Sequence, residues 1–273
     1  MKNLFLFLTL LITLTAFGQV QDRTINHPNK TKYPSEILSK ENVWVFILAG
    51  QSNMAGRAFV EPNDTLPNQR VLSINRKSEI ILAKEPLHFY EPKMSGLDCG
   101  MAFSHEILKH IPDSISVLLI PTALGGSSIA EWVNDSIHRN VKLLSNFKDK
   151  VEMVKNYGTI KAILWHQGES DAKPLLIKNY KHKLQALFKK FRNDIDNQNL
   201  IILTGNIGLF KEHDLYKKNI NQQINECAFN DPNTYLINTK NFKSIGDNLH
   251  FNSKSQRKMG KRFAKKYLEI INY

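Results

Sequence analysis

The chain has 273 residues, 42% hydrophobic and 23% charged, a balance that suits one folded domain and excludes global disorder. Its formal charge is +12, from 37 Lys and Arg against 25 Asp and Glu, which favours acidic surfaces and polymers as partners. The lysines spread along residues 178–190 and 254–266 without interleaved aromatics, so they read as solvated helix faces and exclude a nucleic-acid module.

Residues 1–18 read as a signal peptide. Lys2 supplies the basic start, an apolar run begins at Leu4, and Ala16 and Gly18 offer small residues at a cleavage site. The run is short for a membrane span, and no cysteine lies near the cut to carry a lipid anchor. The expectation is therefore export, to the periplasm or outside the cell, with no stable membrane insertion afterwards. Residues 19–42 are polar, contain Pro28 and Pro34, and read as a leader into a domain spanning 43–273.

From residue 43 onward, short apolar runs alternate with amphipathic stretches. Residues 43–49, 115–120, 160–165, 200–204 and 234–238 read as five strands buried on both faces. Residues 101–110, 177–192 and 253–271 carry helical spacing, the last with Ser253 and Gln256 in the form of a capping box. The alternation predicts an α/β fold, a parallel sheet with helices on both faces. Residues 56–100 break the rhythm with Pro62, Pro67, Pro86 and Pro92, and read as a large loop insertion near the substrate. The two cysteines, Cys99 and Cys227, sit in no metal-ligand or redox spacing, and whether they pair is open.

Ligands of a parallel sheet bind beyond the carboxyl ends of its strands, so the loops after the strands are where chemistry belongs. Those loops hold Gly50-Gln51-Ser52-Asn53-Met54, Leu124-Gly125-Gly126-Ser127-Ser128, His166-Gln167-Gly168-Glu169-Ser170-Asp171 and Asp247-Asn248-Leu249-His250. A serine hydroxyl needs an imidazole to take its proton, and the imidazole needs a carboxylate to hold its tautomer. Asp247 and His250, three apart just before a helix, can meet locally and face Ser52. Candidate oxyanion donors are the Ser52 N–H, the Gly125 N–H and the Gln167 side-chain amide. Arg57, Glu131 and Trp132 are candidate sugar contacts. No metal or organic cofactor is expected. Each residue also has a structural reading: Ser52 as a cap, Gly125-Gly126 as a turn, His250 as a surface residue, Trp132 as core, Glu169 and Asp171 as loop braces.

The ordered set of Gly-Gln-Ser-Asn-Met, Gly-Gly-Ser, Trp165-His166-Gln167-Gly168-Glu169-Ser170-Asp171 and Asp-x-x-His resembles the SGNH hydrolase superfamily. More narrowly, it resembles the sialate O-acetylesterase-like domain of carbohydrate esterase family six. Cys99-Gly100-Met101-Ala102-Phe103 is similar to a further segment of that family. The resemblance runs from Val43 to the end of the chain. It implies a flavodoxin-like three-layer sandwich and removal of acetyl groups from sugar hydroxyls. It implies Ser52 as nucleophile, His250 as base, Asp247 as its partner, and Gly125 and Gln167 as oxyanion donors. The substrate expected is an acetylated carbohydrate, such as acetylated xylan, another glycan or O-acetyl sialic acid. Two alternatives stay open: an SGNH esterase for another acyl group, and a silent carbohydrate-binding domain. Gly50-x-Ser52-x-Met54 lacks the second glycine of an α/β-hydrolase elbow, and Lys109 stands where a zinc helix starting at His105-Glu106 needs histidine.

Overall fold

The computed structural model of the protein describes residues 24–28, 30–36 and 39–273. The signal segment over residues 1–18 and the first part of the leader lie outside the described residues. In the described leader, Asn26 donates to the Val60 carbonyl and the Lys32 carbonyl accepts from Leu82 N–H, so this stretch lies against the domain.

In chain order the first half forms β1 (Val43–Gly50), β2 (Val71–Ile74), β3 (Ile80–Leu82), α1 (Gly100–Ile107), β4 (Ser116–Pro121) and α2 (Ile129–Val133). A small hairpin, β5 (Ile137–His138) and β6 (Val141–Lys142), leads into α3 (Leu143–Val154). The second half forms β7 (Thr159–His166), α4 (Tyr180–Ile195), β8 (Ile201–Gly205), α5 (Leu215–Phe229), β9 (Thr234–Ile237) and α6 (Ser253–Ile270).

The main sheet has seven strands in the order β3-β2-β4-β1-β7-β8-β9, parallel throughout except for the β2–β3 pair. The five expected strands are present as β4-β1-β7-β8-β9. The other two correct the reading of residues 56–100 as loop. β2 has 4 residues and β3 has 3, too few for an apolar period to stand out among the surrounding turn residues.

The sheet is covered on both faces because its strands are apolar on both. Along β1, Val45, Ile47 and Ala49 join the core holding Trp132, Phe147 and Phe191, while Phe46 and Leu48 join the core holding Phe103, Met259 and Phe263. Helices α2, α3, α4 and α5 contribute to the first core, α1 and α6 to the second. Leu184, Leu187, Phe188, Phe191 and Ile195 form the buried stripe of α4, at the spacing that keeps side chains on one helix face. On the opposite layer Gly260 lets α6 lie close against α1, since a Cβ there would meet the Cys99 carbonyl oxygen at 2.3 Å. Cys99 and Cys227 are both free and buried, in the cores on opposite faces of the sheet, so they do not pair.

The capping box expected at Ser253 and Gln256 does not form, and the helix start lies at a different cap. Asn252 is the N-cap of α6 and accepts from the Ser255 N–H at 2.9 Å. Ser253 instead donates to the Phe59 carbonyl at 2.7 Å, and Gln256 donates to the Asn53 carbonyl at 2.8 Å. Both side chains therefore tie α6 to the segment after β1.

Two features place the functional loops. In the five-strand order, chain connections leave in opposite directions on either side of the β1–β7 pair, which opens a crevice at their carboxyl ends. There Gly50 pairs with His166. Gly50 has φ +135°, and a Cβ on it would lie 2.1 Å from the His166 carbonyl oxygen, so only glycine lets the chain turn here.

Candidate active site

The turn beyond Gly50 delivers Ser52, and the loop between β9 and α6 delivers His250. Ser52 Oγ lies 3.1 Å from His250 Nε2, and His250 Nδ1 lies 2.6 Å from Asp247 Oδ2. The other carboxylate oxygen of Asp247 accepts the backbone N–H groups of Leu249 and His250, each at 2.9 Å. Partial burial pushes the Asp247 carboxyl up, but the His250 backbone and side-chain hydrogen bonds and the Leu249 N–H outweigh it and hold the carboxyl below its ordinary value. The structure thus brings Ser52, His250 and Asp247 into one hydrogen-bonded line.

Ser52 opens on a cleft of about 290 Å³ that also borders Gly125, Gly126, Arg139, Lys173 and His250. A larger hollow of about 530 Å³ lies beyond β8 and β9, but its walls, with Asn206, Asn238 and Phe242, carry no serine, cysteine or histidine. Among the described residues no group of three or more His, Cys, Asp or Glu side chains is arranged to hold a metal ion.

The expected oxyanion donors divide. The Ser52 N–H has no acceptor among the described residues. The Gly125 N–H donates to Glu91 Oε2 at 2.7 Å. Gln167 is fully buried, outside the cleft walls, and its amide donates to Gln51 Oε1, the Ser127 carbonyl and Asp171 Oδ2 at 3.1, 3.2 and 2.5 Å. All three partners are acceptors within the fold, so the amide hydrogens are engaged there and Gln167 serves as an internal brace. The neighbouring Gly126, with φ +81°, lines the cleft and has an N–H without an acceptor among the described residues.

The expected sugar contacts also change. Trp132 is fully buried against Trp165 and Phe191, and its Nε1 donates to Ser127 Oγ at 2.9 Å. Glu131 closes the capping box of α2 with Ser128 and bonds His138 Nδ1. Neither borders the cleft, because short α2 turns Trp132 inward and spends Glu131 on its own first turn. Arg57 does border the cleft, but from beneath: it is 2% exposed and its Nη2 pairs with Glu91 Oε2 at 2.6 Å.

Glu91 and His138 carried no sequence signal, whereas Asp171 and Ser170 stood in the motif after β7 with their contacts unread. Glu91, inside the stretch read as loop, accepts from Arg57, the Gly125 N–H and Arg139. Burial pushes its carboxyl up, while the two guanidinium groups and the N–H outweigh that and hold it below its ordinary value. His138 Nε2 bonds the Gly125 carbonyl at 2.9 Å. Asp171 is buried and accepts from the Ile129 N–H at the start of α2, and burial raises its carboxyl above the usual range. Ser170 donates to the Gly126 carbonyl.

Comparison with known proteins gives a consistent picture. A family described as carbohydrate esterase, sialic acid-specific acetylesterase, matches residues 42–269. A probable carbohydrate esterase from Arabidopsis thaliana is 30% identical over 249 residues, which is 82% of this chain and 90% of that protein. Its solved structure superposes with a TM-score of 0.72 at 28% identity, over 84% of this chain and 98% of that one. The fold is shared with NanS, at TM-score 0.67, 16% identity and 86% and 99% coverage. It is shared too with a carbohydrate acetylesterase from Xanthomonas citri, at 0.64, 15% identity and 84% and 56% coverage.

The cluster around Glu91 has a pH signature. A carboxyl held low in the fold adds stability that is present above the unfolded carboxylate value, near 4.3, and is lost as pH falls through the folded value. Urea midpoints of the wild type should fall as pH drops from about 5 to about 3. In Glu91→Gln they should start lower and fall less over the same range.

Proposed function

The chain belongs to the carbohydrate esterase family of sialic acid-specific acetylesterases, and from that premise we propose that it is a serine esterase that removes acetyl groups from hydroxyls of acidic sugars. The observation that carries the mechanism is the line from Ser52 Oγ to His250 Nε2 to Asp247, at 3.1 and 2.6 Å. Ser52 Oγ attacks the acetyl carbonyl carbon while His250 Nε2 accepts its proton. Asp247 keeps the other ring nitrogen protonated and offsets the charge of the imidazolium. The N–H groups of Ser52 and Gly126, which border the cleft and have no acceptor among the described residues, are the donors assigned to the negative carbonyl oxygen. His250 then gives its proton to the departing sugar oxygen. Water, losing a proton to His250, attacks the acetyl-serine carbonyl, and His250 returns that proton to Ser52 Oγ as the ester bond breaks and acetate leaves. Gly125 supports this pocket through Glu91 and His138, and Gln167 supports it from within.

The cationic wall of the cleft points to the sugar. Lys173 is exposed, and Arg139 places one guanidinium nitrogen 3.6 Å from where a Cβ on Gly126 would stand. A carboxylate on the acetylated sugar meets both charges when its ester reaches Ser52, in keeping with the chain's formal charge of +12. Action outside the cytoplasm is part of the proposal and rests on the sequence of residues 1–18.

Acetate release from O-acetyl sialic acid, acetylated xylan and a small aryl acetate tests the reaction. Ser52→Ala should lower kcat by about 10⁴-fold or more on every substrate. A variant retaining more than a tenth of wild-type activity would contradict the serine mechanism.

The same assays test the charge. Lys173→Glu should raise KM for the acidic acetyl sugar by about 10-fold at low salt and leave the aryl acetate unchanged. Equal effects on both substrates would contradict recognition of an acidic sugar.

A further inference from the structure

We propose that Asn53 and Glu169 form a clamp that positions His250 on Ser52, Asn53 by bonding the backbone on both sides of the histidine and Glu169 by fixing which way the Asn53 amide faces. This deepens the serine-esterase reading and rests on it.

The need for a clamp is visible in the loop that carries the base. Between β9 and α6 the chain has no helix or strand, only the short bridge from Ser244 to Phe251. Gly246 has φ +110° with nothing within 4 Å of an added Cβ, and Asn248 has φ +57°. Residues 246–248 are exposed. Such a loop does not by itself hold an imidazole to the tolerance that proton transfer requires.

Asn53 supplies the missing restraint. It is fully buried. Its Nδ2 donates to the Leu249 carbonyl at 3.1 Å, and its Oδ1 accepts from the Phe251 N–H at 2.8 Å. The two bonds bracket His250. Asn53 is also the residue next to Ser52, so a single chain step carries both the nucleophile and the anchor of its base.

The amide works in only one orientation. Turned over, its oxygen would face the Leu249 carbonyl and its nitrogen the Phe251 N–H. Glu169 Oε1 accepts from Nδ2 at 2.6 Å and adds a third contact that the turned amide cannot make. The Glu169 side chain is 3% exposed, and none of the described hydrogen bonds joins it to Ser52 or His250. Its effect on the base therefore passes through Asn53. Because Glu169 follows β7, the clamp joins the loop after β7, the turn after β1 and the loop before α6.

What Glu169 provides is an acceptor oxygen, not a charge for the reaction. Glutamine can present such an oxygen and alanine cannot. Steady-state kinetics on an aryl acetate and on an acetylated sugar should show Asn53→Ala lowering kcat about 100-fold with KM within about 3-fold, the size expected for a misplaced base. Glu169→Ala should lower kcat about 10-fold or more, whereas Glu169→Gln should keep at least about a third of wild-type kcat. The double variant Asn53→Ala/Glu169→Ala should match Asn53→Ala within about 3-fold, as residues acting in series do. Thermal midpoints measured alongside separate these effects from unfolding, and the Glu169→Gln comparison remains readable if the alanine variants are unstable. Unchanged kcat in Asn53→Ala would overturn the clamp. So would a loss expressed only in KM, equal losses in Glu169→Gln and Glu169→Ala, or fully multiplicative losses in the double variant. Ser52→Ala is the control: if it keeps its activity the serine reading itself fails, and if it is inactive while Asn53→Ala is normal, the clamp alone fails.

Discussion

The site depends on how tightly the two central strands are joined where they end. Gly50 and His166 pair so closely that a Cβ on Gly50 would lie 2.1 Å from the His166 carbonyl. The chain after β1 has one way to turn, and that turn puts Ser52 at the mouth of the crevice. The Gln51 N–H donates back to the His166 carbonyl at 2.9 Å, and Gln51 Oε1 accepts from the Gly168 and Ser170 N–H groups, so the turns after β1 and β7 form one unit. Gln167 lies inside that unit. Its amide contributes rigidity because every donor is already used, which removes it from the surface where a developing charge would sit.

The histidine arrives from a far more loosely built segment, and the molecule handles the difference with polar bonds at the interface between the two. Asp247 holds the ring from one side, and Asn53 holds the backbone on either side of it. Gln256 adds a tie from α6 to the Asn53 carbonyl. The bonds of Asn53 and Gln256 are buried or half-buried, where a lost partner leaves a polar group without solvent, so this part of the arrangement is costly to disturb. On the opposite wall the Arg57–Glu91–Arg139 cluster shapes the pocket from beneath. Its charges largely satisfy one another, leaving Lys173 and the outer edge of Arg139 to face a substrate.

Much of this was legible in the sequence because the strongest features are local. Apolar runs long enough to span the sheet identified β1, β4, β7, β8 and β9, and strand ends pointed to the loops that bring Ser52, Asp247 and His250 together. The Asp247–His250 spacing anticipated a contact that needs only a turn. Contacts set by packing were not legible. β2 and β3 are too short to show a period, and Glu91 looks like any acid in a loop until Arg57 and Arg139 close on it. Trp132 and Glu131 sit beside a glycine turn in sequence, yet the direction of α2 sends one into the core and the other to its own cap. Asn53 and Glu169 were within view in the two most distinctive motifs, but spacing does not reveal that they bond across 116 residues.

Covalent labelling tests the central claim most directly. The native enzyme would be treated with a small fluorophosphonate, and the modified peptide mapped by mass spectrometry. The expected result is rapid stoichiometric modification at Ser52 alone, with the rate reduced by about 10³-fold or more in His250→Ala. Modification at another residue, or a rate at Ser52 that does not change when the imidazole is removed, would contradict it.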